Sequence, residues 1–212
     1  MIFPSFFASL RVPERIKNYS CIFVDQSVQG DEVMGEPNLI LTGFMGTGKS
    51  SVARVITAHT GRPGRDFDAE LVAHFGRPIA QVFAEEGEAA FRAVEAALCR
   101  SVPPAAGLVI ATGGGAAVDP ANRVALQARG ILICLTADPA TLIARLMADG
   151  AATRPLLGPD PAAALRRLWV SRAAAYAAIP WHVDTSGLTV PQVAAVVLTL
   201  YARAVADDSR PS

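Results

Sequence analysis

From residue 38 onward, short apolar runs alternate with longer segments in which apolar residues recur every three or four positions. Residues 38–42 (NLILT) predict a strand, a glycine-rich turn follows, and residues 49–60 predict a helix closed by Gly61. Residues 65–68 (RDFD) predict a short second strand. Residues 69–76 and 78–102 predict helices, punctuated at Gly76-Arg77-Pro78. Residues 107–112 predict a strand running into Gly113-Gly114-Gly115. A helix over 120–130, ended by Gly130, and a strand over 131–136 follow. Asp138 and Pro139 open a further helix as N-cap and first-turn proline. Residues 182–185 predict a last strand, and 190–205 a C-terminal helix with Pro191 in its first turn. Strands that alternate with helices predict an α/β fold with a parallel sheet covered on both faces.

Residues 1–36 do not follow this rhythm and are expected to form a flexible extension. Met34 stands four residues before the first strand, so a start there would leave a complete domain over 37–206, with 207–212 as a tail. The intact mass of the natively expressed protein tests that start. The N-terminal apolar run is broken by Pro4 and Ser5 and lacks a basic preface, which argues against a signal peptide. The late apolar run is read as too short to span a bilayer and is interrupted by Gln192, Tyr201 and Arg203. No membrane partner is expected.

Composition narrows the picture further. With 212 residues, of which 51% are hydrophobic, the chain suits one domain with a large core. A formal net charge of zero argues against nucleic-acid binding. Cys21, Cys99 and Cys134 are odd in number and widely spaced, which predicts reduced thiols in a cytoplasmic protein, two of them buried. The chain contains only two lysines, Lys17 and Lys49, and the second lies in the glycine-rich turn. That scarcity favours a chemical need for an ammonium group there.

Gly43, Gly48, Lys49 and Ser50 fit the pattern G-x-x-x-x-G-K-[ST] between a predicted strand and a predicted helix. Glycines let the backbone curl so that amide N–H groups point at phosphate oxygens, and the helix adds its positive end. Lys49 is expected to bridge the β- and γ-phosphates, and Ser50 to ligate Mg2+. The expected ATP contacts are Gly43, Met45, Gly46, Thr47, Gly48, Lys49, Ser50 and Ser51.

Asp66-x-Asp68 follows the turn, and two carboxylates one residue apart in an extended segment point the same way. The plain alternative is that they cap the next helix. Arg92 and Glu95 sit at i and i+3, where they can pair on one helix face. A surface ion pair is the plain reading of these two alone. The triple glycine 113–115 lets backbone approach a ligand, or simply turns the chain. Arg154-Pro-Leu-Leu lies in a stretch rich in small residues, and Tyr176 follows Arg172 by four.

In order and rough spacing these motifs resemble the shikimate kinases, over about residues 38–203. The glycine loop alone is shared by many families. Asp-x-Asp, Phe-Arg-x-x-Glu and the triple glycine together are the specific part. The resemblance implies a P-loop domain of nucleoside-monophosphate-kinase type, with five parallel strands in the order 2-3-1-4-5 and a mobile lid. It implies transfer of the ATP γ-phosphoryl group to the 3-hydroxyl of shikimate with Mg2+, a step of aromatic amino acid biosynthesis by way of chorismate, in a monomer.

The resemblance also implies roles. Asp66 is on the metal side through water, and Asp68 contacts the acceptor hydroxyl and acts as base. Arg92 and Arg172 clamp the acceptor carboxylate, Glu95 positions Arg92, and Gly113, Gly114 and Gly115 touch the acceptor. Arg154 swings over the phosphates with the lid, Arg145 stacks on adenine, and residues 183–187 (VDTSG) fall where the family's adenine loop lies. The chain departs from the family at Gly64, Val72, Ala178 and the segment with Pro180 and Trp181, which is one residue shorter. Two rivals remain open: a kinase for another hydroxy acid such as gluconate, and a sensor module that binds without turnover.

Overall fold

The computed structural model describes residues 35–148 and 160–208. Five strands form one parallel sheet in the order β2-β3-β1-β4-β5, as the resemblance implied. They are β1 (Asn38–Gly43), β2 (Gly64–Asp66), β3 (Val109–Ala111), β4 (Gly130–Thr136) and β5 (Trp181–Asp184). The helices are α1 (Lys49–Thr60), α2 (Phe67–Phe75), α3 (Ile79–Glu85), α4 (Gly87–Ser101), α5 (Pro120–Gln127), α6 (Pro139–Ala148), α7 (Pro161–Ala177) and α8 (Val190–Asp208).

Every position of β1 is buried, because helices cover the sheet on both sides. Ile40, Ile110, Leu132 and Cys134 pack one face against Cys99, Leu126 and Tyr176. Leu39, Leu41, Val109 and Ile133 pack the other against Val52, Ile56, Val193 and Val197. Leu39, Ile40 and Leu41 are fully buried. Each such side chain contributes roughly 1.5–3 kcal/mol, several times an exposed ion pair. Stability therefore rests in the sheet, which leaves the polar groups at its end available for chemistry.

Register places that end. Asp66 pairs with Ala111, Ala111 with Leu41, and Leu41 with Ile133. The chains leaving β1, β2 and β3 thus emerge level with one another, and the loops that follow them meet.

Four expectations change. The helix expected over 78–102 is two helices, because Gly87 takes φ +83, a left-handed conformation that ends one helix and starts the next. The helix expected to end at Gly130 stops at Gln127, with Ala128 as C-cap, and Gly130 already pairs with Asn38 as the first residue of β4. Phe67 and Asp68 belong to α2, not to an extended strand. The C-terminal helix runs to Asp208, and its stretch Val190–Asp207 is long and apolar enough to cross a bilayer by length and composition. It is not too short; instead, Val193, Ala194, Val197 and Leu200 are buried against α1 and the sheet.

At the start of the described residues, Gly35 N–H donates to Ala105 O at 3.0 Å. Cys99 and Cys134 are buried as expected, and burial pushes both thiols up to about 12, so they stay protonated. Cys21 lies outside the described residues.

Candidate active site

The phosphate side is a tight loop leaving β1. Gly43 is pressed onto β4: a Cβ there would sit 2.1 Å from Leu135 O, and its φ is +133. Thr47 Oγ1 donates to Phe44 O at 2.8 Å and holds the loop closed. Lys49 is the first residue of α1 and is only 7% exposed. Its Nζ donates to Gly43 O at 3.0 Å and to Phe44 O at 3.1 Å, so the ammonium is held inside the loop. Burial lowers its pKa, and Asp68 is the strongest of the groups that oppose this.

A cleft of about 600 Å³ opens in front of the loop. Met45, Gly46, Thr47, Gly48, Lys49, Ser50 and Ser51 line one wall, and Asp68 and Gly114 line another. Arg145 and Thr185 close the far end. Arg145 donates to Thr185 Oγ1 at 2.9 Å, to Thr185 O at 2.8 Å and to Gly46 O at 3.3 Å. It therefore ties the glycine loop to the segment after β5. The spacing of residues in the sequence could not have shown Thr185 as its partner.

The two aspartates part company. Asp66 ends β2 and caps α2, with Oδ1 accepting from Asp68 N at 3.0 Å and Ala69 N at 3.3 Å. Asp66 is the helix cap, while Asp68, the second residue of α2, lines the cleft. A helix starts between them, so the segment is not extended as expected.

Arg92 and Glu95 pair on α4, with Nη1 donating to Glu95 Oε2 at 2.5 Å. This is no plain surface pair, since Glu95 is only 1% exposed. Its burial raises the carboxyl pKa, and Arg92 works against that rise.

The triple glycine is the floor against which these groups rest. A Cβ on Gly113 would lie 2.8 Å from Glu95 Oε1 and 2.9 Å from Asp68 Oδ1. A Cβ on Gly115 would lie 2.6 Å from Arg92 Nη1. A Cβ on Gly114 would lie 3.3 Å from Met45 N, so here the loop after β3 touches the loop after β1. Arg172 Nη1 donates to Gly114 O at 3.1 Å, and the Tyr176 hydroxyl donates to the same oxygen at 2.5 Å. Burial pushes the Tyr176 phenol up to about 12, so it remains a donor. Tyr176 was visible as part of a motif, but its bond to a residue 62 positions away was not legible from sequence.

The structure thus brings together Lys49, Asp68, Arg92, Glu95, Arg172 and the three glycines around one loop junction. Arg154 and most of the expected lid lie outside the described residues. Among the described residues no cluster of three or more His, Cys, Asp or Glu could hold a metal by itself. Ser50 and Asp68 line the same cleft, a donor set that would suit Mg2+, which keeps several waters and takes much of its shell from phosphates.

A family model described as shikimate kinase matches residues 45–202. The chain belongs to the shikimate kinase family. The shikimate kinase of Desulforudis audaxviator is 40% identical over 161 residues, covering 76% of this chain and 84% of that protein. That of Symbiobacterium thermophilum is 44% identical over 141 residues, covering 66% of this chain and 81% of that protein. Among solved structures, shikimate kinase from Acinetobacter baumannii in complex with shikimate matches with a TM-score of 0.74 and 31% identity. That match covers 84% of this chain and 97% of the other.

None of the positions read from sequence as departing from the family, Gly64, Val72, Ala178, Pro180 and Trp181, lines the cleft. Val72 is 41% exposed on α2. Pro180 and Trp181 line a separate cavity with Pro37 and Gly130, at the opposite end of the sheet. Gly64 lies against α1, where a Cβ would sit 2.8 Å from Thr57 Cγ2.

Proposed function

We propose that this protein transfers the γ-phosphoryl group of ATP to the 3-hydroxyl of shikimate, the step on the way to chorismate that its family suggests. The observation that carries this reading is the contact at Gly114. One loop touches Met45 of the phosphate grip while its neighbours Gly113 and Gly115 rest on Asp68, Glu95 and Arg92. A phosphate site and a carboxylate clamp that share one loop suit a phosphoryl transfer between two bound small molecules better than hydrolysis.

In this reading the loop amides and Lys49 take up charge on the β- and γ-phosphates. Lys49 exchanges its bonds to Gly43 O and Phe44 O for phosphate oxygens. Arg92 and Arg172 grip the acceptor carboxylate, and the planar fork of each guanidinium fixes the orientation of the ring. Asp68 accepts the proton of the attacking hydroxyl, and the aligned oxygens lower the barrier chiefly through positioning. Ser50, and Asp66 through water, would hold Mg2+, which would neutralise phosphate charge when bound. Arg145 holds the adenine end, and Arg154 covers the phosphates from the lid. The protein works as a cytoplasmic monomer, which light scattering on the purified chain tests.

The experiment is ADP release with ATP and Mg2+, with and without shikimate, beside gluconate and quinate. Stimulation by shikimate alone is the expected result. Stimulation by gluconate instead would replace the acceptor. Binding of shikimate without ADP release would make the protein a sensor.

A further inference from the structure

Arg92 offers five N–H donors in a planar fork. Its Nη1 is spent on Glu95 at 2.5 Å. Its Nε and Nη2 form the edge that best matches a carboxylate, and both donate to Glu88 Oε1 at 3.1 Å. The two glutamates are not equivalent. Glu95 is 1% exposed, whereas Glu88, one turn earlier on α4, is 64% exposed. Breaking the buried pair would strand a charge away from water, while an exposed pair holds weakly and its carboxylate is readily rehydrated.

The guanidinium itself has little room to move. Gly115 lies directly beside Nη1, and the Phe91 ring centroid is 5.2 Å from Cζ. Exchange at this edge therefore means that Glu88 leaves and Arg92 stays. Glu88 therefore places a negative charge at the Arg92 edge that an incoming carboxylate would take.

We propose that Glu88 sets acceptor affinity: it fills the Nε–Nη2 edge of Arg92 in the empty enzyme and gives that edge up to the acceptor's carboxylate. The inference rests on the reading of Arg92 as the acceptor clamp. It also selects among acceptors. A ligand must bring a carboxylate that outcompetes Glu88, so neutral polyols of similar shape gain nothing at this edge.

The test uses the full chain with Glu88→Gln, Glu88→Ala and, as a control on the clamp, Arg92→Ala. KM is measured separately for shikimate and for ATP, with shikimate binding followed by calorimetry. Both Glu88 variants are expected to lower KM and Kd for shikimate about two- to fivefold, the range of an exposed ion pair, with KM for ATP unchanged. The gain should shrink at high salt as the charges are screened. Unchanged or raised KM for shikimate in the Glu88 variants overturns the proposal and makes Glu88 a support for Arg92. Arg92→Ala with an unchanged shikimate KM would instead remove the clamp itself, a separate failure.

Discussion

On one side of the cleft a single unbroken run, Met45 to Val52, lines the wall. On the proposed acceptor side Asp68, Arg92 with Glu95, the loop 113–115 and Arg172 come from four separate segments and bring mostly charged side chains. The first arrangement is local and is fixed by backbone geometry. The second exists only after α2, α4 and α7 have packed on the sheet. A change on the phosphate side should therefore damage chemistry for any acceptor, and one on the acceptor side should damage use of shikimate while sparing ATP.

Asp68 lies where the two sides meet, and Asp68→Asn should have the largest effect. A lost general base predicts kcat down by about 10²–10⁴ with ATP still bound and the fold intact. Turnover near that of the unmodified protein would take Asp68 out of this role. Arg92→Ala comes next, with KM for shikimate raised about 10- to 100-fold, the worth of one or two charged hydrogen bonds, and KM for ATP nearly unchanged. Equal loss for both substrates would dissolve the distinction between the sides. The same change strands Glu95, so thermal stability should drop; adding Glu95→Gln should restore part of it without restoring KM.

Gly115→Ala is a finer probe, since its Cβ would meet Arg92 Nη1 at 2.6 Å and press on the guanidinium. KM for shikimate should rise about tenfold, near the lower bound of overpacking costs, while calorimetric ATP binding stays as it was. The smallest expected effect lies outside both sides, at the start of α6. Hydrogen bonds from Thr141 hold the exposed Asp138 carboxyl down at about 2, below its usual 3.8. A depressed carboxylate adds stability above its unfolded pKa and loses it as pH falls through its folded one. The melting difference between the unmodified protein and Asp138→Asn should thus be present at neutral pH and vanish as pH falls from about 4 to about 2. A difference that persists at the acid end would assign the cap to neutral hydrogen bonding.

Much of the fold was legible because its signals are local. The helix Lys49–Thr60 with its Gly61 cap follows from apolar spacing and a single glycine. The break at Gly87 escaped because the apolar spacing runs on through it, and only the backbone shows the left-handed turn. Asp66 and Asp68 were both recognised, yet their division of labour depended on where β2 stops and α2 starts, a boundary that periodicity places poorly. Glu95 read alone was a surface partner for Arg92; packing on α4 buried it and changed the physics of the pair.

The sequence by itself determined the glycine-rich strand–loop–helix, the alternation that builds a parallel sheet, and the identities of the charged groups gathered beside the loop. Those depend on chain geometry over a few residues, and a linear pattern carries that information. The tertiary structure alone decided that Gly114 joins the two loops, that Tyr176 and Arg172 share its carbonyl, that Arg145 bonds to Thr185, and that Glu88 occupies the edge of Arg92. Such contacts depend on distances between segments far apart in the chain. Packing of the helices on the sheet sets those distances, and no local spacing encodes them.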